Sequence, residues 1–381
     1  MQFKEIVGQE AIKQRLTGSV AESRISHAQL FLGPEGSGAL ALAVAYAQYI
    51  SCENRQTADS CGECPSCRKY QKLAHPDLHF SYPFFAKHKD DTATTFIEEW
   101  REALLANPYL SLDRWRGYLD AENKQANINI AECHQIIRKL SLKPFESAYK
   151  IMILWLPEYL DKEGNSLLKI IEEPQPNTLF LLVAQNQDQI LNTILSRTQL
   201  VKIPALTYDD VRDYLINHQG QTLHAAEEIA YLSNGNMAEA LNMISQGSND
   251  YHQLFVKWLR MCFGNKGNEI IGFTELLAKL GRENQKNFLR YGVSFMRECC
   301  LLMAGAGNLV HLPAEELDTA QKMTGVMNMA MTEAIGAELE RSQYHVERNA
   351  NPRILFLDVS LQIIKILHFK TLPKGTQYIP N

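Results

Sequence analysis

The sequence has no run of about 18 or more uncharged apolar residues, which excludes a membrane-spanning helix of ordinary length. It has no basic excess either: 38 Lys and Arg stand against 43 Asp and Glu, for a formal net charge of −5. Chains that grip nucleic acid across a broad surface carry the opposite balance. If this protein works on DNA, most phosphate contacts fall to other chains. Internal repeats and low-complexity tracts are missing, and Met1–Ile6 lacks the basic start and apolar core of a secretory signal. The expected location is the cytoplasm. A reducing compartment disfavours disulfides, so the eight cysteines need another account. Cys133, Cys262, Cys299 and Cys300 lie on apolar helical patterns and read as core. The other four are grouped.

What is present is ordinary globular material, 45% hydrophobic and 21% charged over 381 residues, enough for two or three domains. The first ~205 residues alternate strand-like and helix-like patterns. Ala28–Leu32, Lys150–Leu156 and Leu179–Ala184 are short continuous apolar runs. Between the last two, Asn165–Glu173 reads as a helix stopped by Pro174. Continuous apolar strands alternating with helices predict an α/β domain, its parallel sheet covered on both faces. Residues 206–248 read as short helices, and 250–369 as long ones. The last opens at Asn351-Pro352, an N-cap followed by proline at the first helical position. Its Ile354, Leu357, Leu361, Ile364 and Leu367 form a stripe expected to bury against neighbouring helices. Residues 86–129 give mixed signals and stay unassigned.

Gly33-Pro34-Glu35-Gly36-Ser37-Gly38-Ala39-Leu40 has the glycine placement and strand–turn–helix context of a phosphate-binding loop. Gly33, Gly36 and Gly38 would let amides point at a phosphate at the helix N-terminus. The lysine and the serine or threonine that would follow are Ala39 and Leu40, so neither phosphate charge nor magnesium has a partner. The octapeptide also suits an ordinary glycine-rich turn. A second requirement, an acidic pair at the end of the Lys150–Leu156 strand, is unmet as well: Trp155 and Leu156 stand there, and Glu158 follows a proline.

Cys52, Cys61, Cys64 and Cys67 are spaced C-x8-C-x2-C-x2-C. Four thiolates suit a structural zinc with no open coordination position; an iron–sulfur cluster is the alternative. In such a module, metal binding supplies folding energy on the order of 10 kcal/mol.

These pieces together resemble the bacterial clamp-loader AAA+ family. The likeness is carried by Val7-Gly8-Gln9, by His27-Ala28-Gln29-Leu30-Phe31 leading into the glycine loop, and by the four-cysteine insertion after the loop's helix. It continues in Asn165-Ser166-Leu167-Leu168-Lys169, Glu172-Glu173-Pro174 and Ile194-Leu195-Ser196-Arg197-Thr198. Asn349-Ala350-Asn351-Pro352 extends it to the last helix. The resemblance implies a RecA-like AAA+ domain with a zinc module over residues 1–205, a helical lid over 206–248 and a helical collar over 249–381. It implies a ring with gamma/tau ATPase subunits and a delta subunit, which opens a sliding clamp and places it on primed DNA. The family includes ATP-hydrolysing members and one that lacks a working site. The missing residues, with Ala238 where the ATPases carry an arginine, put this chain with the latter, so nucleotide is absent or weakly held. Ser196-Arg197 persists, with Thr198 where the family has cysteine, and the resemblance makes Arg197 an arginine finger directed at a neighbour's nucleotide. Two other readings remain: an active ATPase with an unorthodox site, and a zinc-dependent nucleic-acid-binding protein on an inert AAA+ scaffold.

Overall fold

The computed structural model describes residues 1–86, 88, 91–121, 125–246, 251–310 and 312–369. The backbone forms two compact units: Met1–Gly220 with Ser233–Leu241, and Gln221–Leu232 with the chain from Asn242 on.

The first unit is built on five parallel strands, β1 (Ala28–Leu32), β2 (Leu78–Ser81), β3 (Lys150–Trp155), β4 (Thr178–Ala184) and β5 (Gln199–Lys202). Their order is β2-β3-β4-β1-β5. The register sets Phe31 opposite both Val183 and Val201, and Ile153 opposite Leu181. Side chains alternate along each strand, so the sheet feeds two cores. Phe31, Ile151, Ile153, Trp155, Leu181 and Val183 enter one; Leu30, Met152, Leu154, Phe180 and Leu182 enter the other. The α/β expectation is met, and burial on both faces is why β1, β3 and β4 read as unbroken apolar runs.

Helix Ala39–Ser51, which follows the glycine loop, is buried at every residue. Alanine at 39, 41, 43, 45 and 47 makes it slim enough to lie against the sheet. The expected helix over Asn165–Glu173 is shorter than that. A 3-10 segment runs from Pro157 to Leu167, and only Leu168–Glu172 is α-helical. Gly164 and Asn165 are weak helix formers, and Gly164 lies close enough to Leu191 that an added Cβ would stand 3.1 Å from it. In the unassigned stretch the structure places helices Ile97–Ala106 and Leu112–Tyr118 and a bridge between Phe84 and Asn127.

The second unit is helical, with Tyr251–Phe263, Arg282–Met303, Met329–Glu347 and Pro352–Phe369 its longest members. They meet around Phe255, Trp258, Phe288, Phe295 and Phe356, all fully buried. Asn351 does cap the last helix, its Oδ1 accepting from the amide of Arg353 at 3.1 Å. Of the stripe expected to bury there, Ile364 and Leu367 pack against the core, whereas Ile354, Leu357 and Leu361 are 69%, 37% and 48% exposed. Leu355, Phe356, Val359, Ile363 and Ile366 occupy the core instead. Of the four cysteines read as core, Cys133, Cys262 and Cys299 are buried and Cys300 half-buried.

Candidate functional site

The glycine loop joins β1 to the helix Ala39–Ser51. Its left-handed residues are Gly36 (φ +74°) and Gly38 (φ +87°), a conformation costly to residues with a Cβ. The space inside it is about 30 Å³, bounded by Leu40, Tyr109, Trp155, Val183 and Gln185 among others. That holds a water or two, whereas pockets for small ligands run to roughly 300–1,000 Å³. Trp155, at the end of β3, lines one side of this space. It is 2% exposed, and its ring centroid lies 5.2 Å from that of Trp100.

The chain's own groups hold the loop. Gln9 Nε2 donates to the carbonyls of Ser37 (3.1 Å) and Pro204 (2.8 Å), which gives the Val7-Gly8-Gln9 segment a structural task. The amide of Met237 donates to the Gly36 carbonyl at 3.2 Å, and Asn236 Nδ2 reaches Glu35 Oε1 at 3.3 Å. Nothing in the sequence marks Asn236 as a partner of a loop 200 residues earlier; after Gly235 it reads only as a turn. Glu158 Oε1 accepts from the amides of Gln185 (2.6 Å) and Asn186 (2.9 Å). Burial pushes its carboxyl above the usual range, against those amides. This carboxylate fastens the end of β4.

Arg197 follows the short helix Asn192–Leu195. Its Nε donates to Glu172 Oε2 at 2.9 Å, and Nη1 to the Thr193 carbonyl (2.9 Å) and Ser196 Oγ (3.2 Å). The side chain remains 32% exposed. Sequence reasoning missed Glu172 as the residue that orients it. Ala238 is buried and offers no charge.

The structure brings Cys52, Cys61, Cys64 and Cys67 together, with all four sulfurs within 4.8 Å of one another. Cys52 ends the glycine-loop helix. Cys64 caps the helix Pro65–Gln71, and its Sγ accepts from the Cys67 amide at 3.4 Å. Gly62, at φ +76°, makes the turn between them. The Sγ–Sγ separations are 3.5 Å for Cys52–Cys61 and 3.9 Å for Cys61–Cys67. A tetrahedral ion with metal–sulfur bonds of about 2.3 Å sets its sulfurs about 3.8 Å apart, so the thiols fit one ion. A multi-iron cluster shares its four thiolates among two or four irons and spreads them wider. Amides of Glu63 and Cys64 directed at Cys61 Sγ bring that thiol down to about 7, which suits a thiolate ligand.

A family model described as "DNA polymerase III, delta subunit" matches residues 8–207. The chain belongs to this family. Among curated relatives, it is 24% identical over 253 residues to DNA polymerase III subunit gamma of Buchnera aphidicola, covering 65% of this chain and 59% of the relative. It is 27% identical over 250 residues to subunit tau of Escherichia coli, covering 64% and 32%. It is 26% identical over 236 residues to subunit delta' of Bacillus subtilis, covering 62% and 59%. The chain thus spans between a third and three-fifths of these relatives. The solved Bacillus subtilis DNA clamp loader delta protein aligns over 93% of this chain and 99% of its own, at 13% identity and a TM-score of 0.33. By the family model and the curated relatives, the chain is a member of the clamp-loader subunit family. No helix among the described residues is long and apolar enough to cross a membrane.

Proposed function

We propose that the chain is the non-hydrolysing, delta-prime-type subunit of a bacterial replicative clamp loader. In this reading it stands in a ring with gamma/tau ATPase subunits and a delta subunit in the cytoplasm, and the assembled ring places a sliding clamp on primed DNA. The observation that supports this reading is the narrow space at the glycine loop, where Leu40, Tyr109 and Trp155 leave about 30 Å³, together with a partly exposed Arg197. Phosphoryl transfer needs positive charge at the γ-phosphate more than covalent help from the protein. An arginine supplied in trans accelerates it by roughly 10³–10⁵ in GTPases. A chain with no nucleotide of its own can still provide that charge to a neighbour.

The parts assign themselves accordingly. Residues 1–205 form the AAA+ domain, 206–248 the lid and 249–381 the collar. The outward Ile354, Leu357 and Leu361 give the collar an apolar face for assembly. Cys52, Cys61, Cys64 and Cys67 hold a structural zinc. A zinc bound there closes its own coordination sphere and takes no part in hydrolysis.

The test rebuilds loader rings with wild-type or Arg197→Ala chain and measures ATP turnover and clamp-loading rate. Arg197→Ala rings assemble normally, lose part of the turnover and lose more of the clamp loading, because one ATP site of the set is impaired. Arg197→Lys is also defective, since an ammonium lacks the planar fork of a guanidinium. Unchanged rates in assembled rings make Arg197 structural. A second reading, an active gamma/tau-like ATPase, draws on the relatives named gamma and tau. Turnover by the isolated, purified chain decides for it.

A further inference from the structure

Residues 142–149 connect helix Ile130–Ser141 to β3 and present Leu142 and Phe145 to solvent, 65% and 81% exposed. Apolar side chains this exposed on a loop usually accompany a loose backbone. Here the backbone is fastened. Asp77 accepts from three successive amides, Oδ1 from Phe145 (2.5 Å) and Oδ2 from Glu146 (2.9 Å) and Ser147 (2.8 Å). The buried Lys150 ammonium donates to the carbonyls of Leu140 and Leu142.

Two more ties lead to the four-cysteine module, one to each of its ligand-bearing segments. Glu146 Oε1 accepts from Lys69 Nζ at 2.7 Å, and Lys69 lies two residues past Cys67 on the helix Pro65–Gln71. Ser147 Oγ donates to Ser51 Oγ at 3.2 Å, and Ser51 immediately precedes Cys52. Ser51 also meets the Tyr70 hydroxyl at 2.8 Å. The Tyr70 ring packs on His75 with centroids 4.7 Å apart, and His75 Nε2 stands 3.2 Å from Glu146 Oε1. Adjacent residues of the loop are thus tied to the two chain segments that the metal would draw together.

The geometry points to a mechanical coupling: metal occupancy of the Cys52/Cys61/Cys64/Cys67 module sets the conformation of loop 142–149 through Lys69–Glu146 and Ser51–Ser147, and so sets how Leu142 and Phe145 are displayed. This rests on the reading that the cysteines hold zinc. Its physical basis is the shortness of the intermediate elements. Pro65–Gln71 is a seven-residue helix, too short to persist in water without support. Outside the packed core it is tied to the segment around Cys52 by the Tyr70–Ser51 hydroxyls, by the Ser66 amide on Glu53 Oε1 at 3.3 Å and by the four sulfurs that a metal would hold together. A surface ion pair such as Lys69–Glu146 contributes little while its lysine wanders. Held on a metal-braced helix, the same pair acts with the Ser51–Ser147 bond and the Asp77 amides as one fastening. Loss of metal converts Lys69 and Ser51 from fixed anchors into mobile ones.

The test is amide hydrogen exchange on the full chain before and after zinc removal by chelation, with metal content measured on the same samples. Peptides covering 142–149 are compared with those covering β4, which lies in the core of the same unit. Removing zinc accelerates exchange at 145–147 by about tenfold, the scale of losing one or two net hydrogen bonds in a local opening, while β4 is unchanged. The double variant Glu146→Gln, Ser147→Ala keeps its zinc, exchanges fast at 145–147 from the start and gains nothing further on chelation. Loop exchange that is indifferent to proven zinc loss overturns the coupling. Equal acceleration of the loop and β4 overturns it too, since that is general loosening. Protein that carries no zinc as prepared fails the metal reading itself, and the coupling falls with it.

Discussion

Arg197 Nε donates to Glu172 Oε2 at 2.9 Å, so a carboxylate of its own chain orients this arginine. Two roles are combined: the pair steadies the short helix Asn192–Leu195, and it leaves Nη2 without a partner among the described residues. Replacing Glu172 by glutamine should cost less than about 1 kcal/mol of stability, because both side chains are partly solvated. Turnover by rebuilt rings should fall, though less than with Arg197→Ala, because Thr193 and Ser196 still hold Nη1. Urea titration and steady-state hydrolysis measure the two effects separately. A fall as large as that of Arg197→Ala would assign orientation wholly to Glu172.

The glycine loop is held by the chain's own groups, so its glycines should be needed for stability whether or not a nucleotide binds. An added Cβ at Gly36 would stand 2.0 Å from Asn236 Oδ1 and 2.6 Å from the Met237 amide nitrogen. At Gly38 it would meet side chains alone, Tyr109 at 3.2 Å and Ile6 at 3.5 Å. Both positions are left-handed. Gly36→Ala should therefore cost about 2–4 kcal/mol and Gly38→Ala about 1–2 kcal/mol. Urea midpoints give the order, and ATP with magnesium should shift neither.

Restoring Lys and Thr at Ala39 and Leu40 should not create an ATPase. Trp155 still stands where an acid would bind magnesium, and removing it leaves a hole between the loop and Trp100. Trp155→Ala should cost about 3–5 kcal/mol. Nucleotide present at 1,000 times its dissociation constant would raise stability by about 4 kcal/mol. Thermal denaturation with millimolar ATP should show no such rise in the wild type or in the Ala39→Lys, Leu40→Thr variant.

Freshly prepared protein should contain one zinc per chain. Cys64→Ser should lose it, because Cys64 both supplies a sulfur and caps the helix Pro65–Gln71. Metal analysis that finds iron, or less than about half an equivalent of any metal, counts against the site.

His79 in β2 gives a pH dependence with a definite sign. Burial, helped by the nearby Lys139 and Lys150, lowers its pKa from 6.5 to about 4. The folded chain therefore keeps the ring neutral at pH values where the unfolded chain binds a proton. Stability should be full above pH 6.5 and decline as pH falls from there toward 4, by on the order of 2 kcal/mol from this group. His79→Gln should flatten that part of the curve in denaturant titrations run from pH 4 to 7.

Strands β1, β3 and β4 were legible because burial on both faces leaves unbroken apolar runs. The edge strands β2 and β5 were not: each is four residues long, and His79, Gln199 and Lys202 interrupt the pattern. The cysteine site was readable because ligand spacing is a local property. The Met237–Gly36 bond joins residues far apart in sequence and has no local signature. The first turns of the last helix were read on the wrong face for a different reason. Apolar residues lie on more than one side there, so Ile354-Leu357-Leu361 recurs at helical spacing as the buried Leu355-Val359-Ile363 also does, and periodicity alone does not choose between them.

Three of the protein's four tryptophans form one cluster, and Trp155 among them lines the space at the glycine loop. Trp100 lies 5.4 Å from Trp115, with rings nearly perpendicular, and 5.2 Å from Trp155; Tyr82 stacks on Trp100 at 3.9 Å. The fourth, Trp258, is in the other unit. Indoles this close exchange excitation, and their fixed mutual angles generate strong near-ultraviolet circular dichroism. The spectrum of the whole chain is thereby weighted toward one small region. The cluster gives the protein an optical probe of that region, readable without a label.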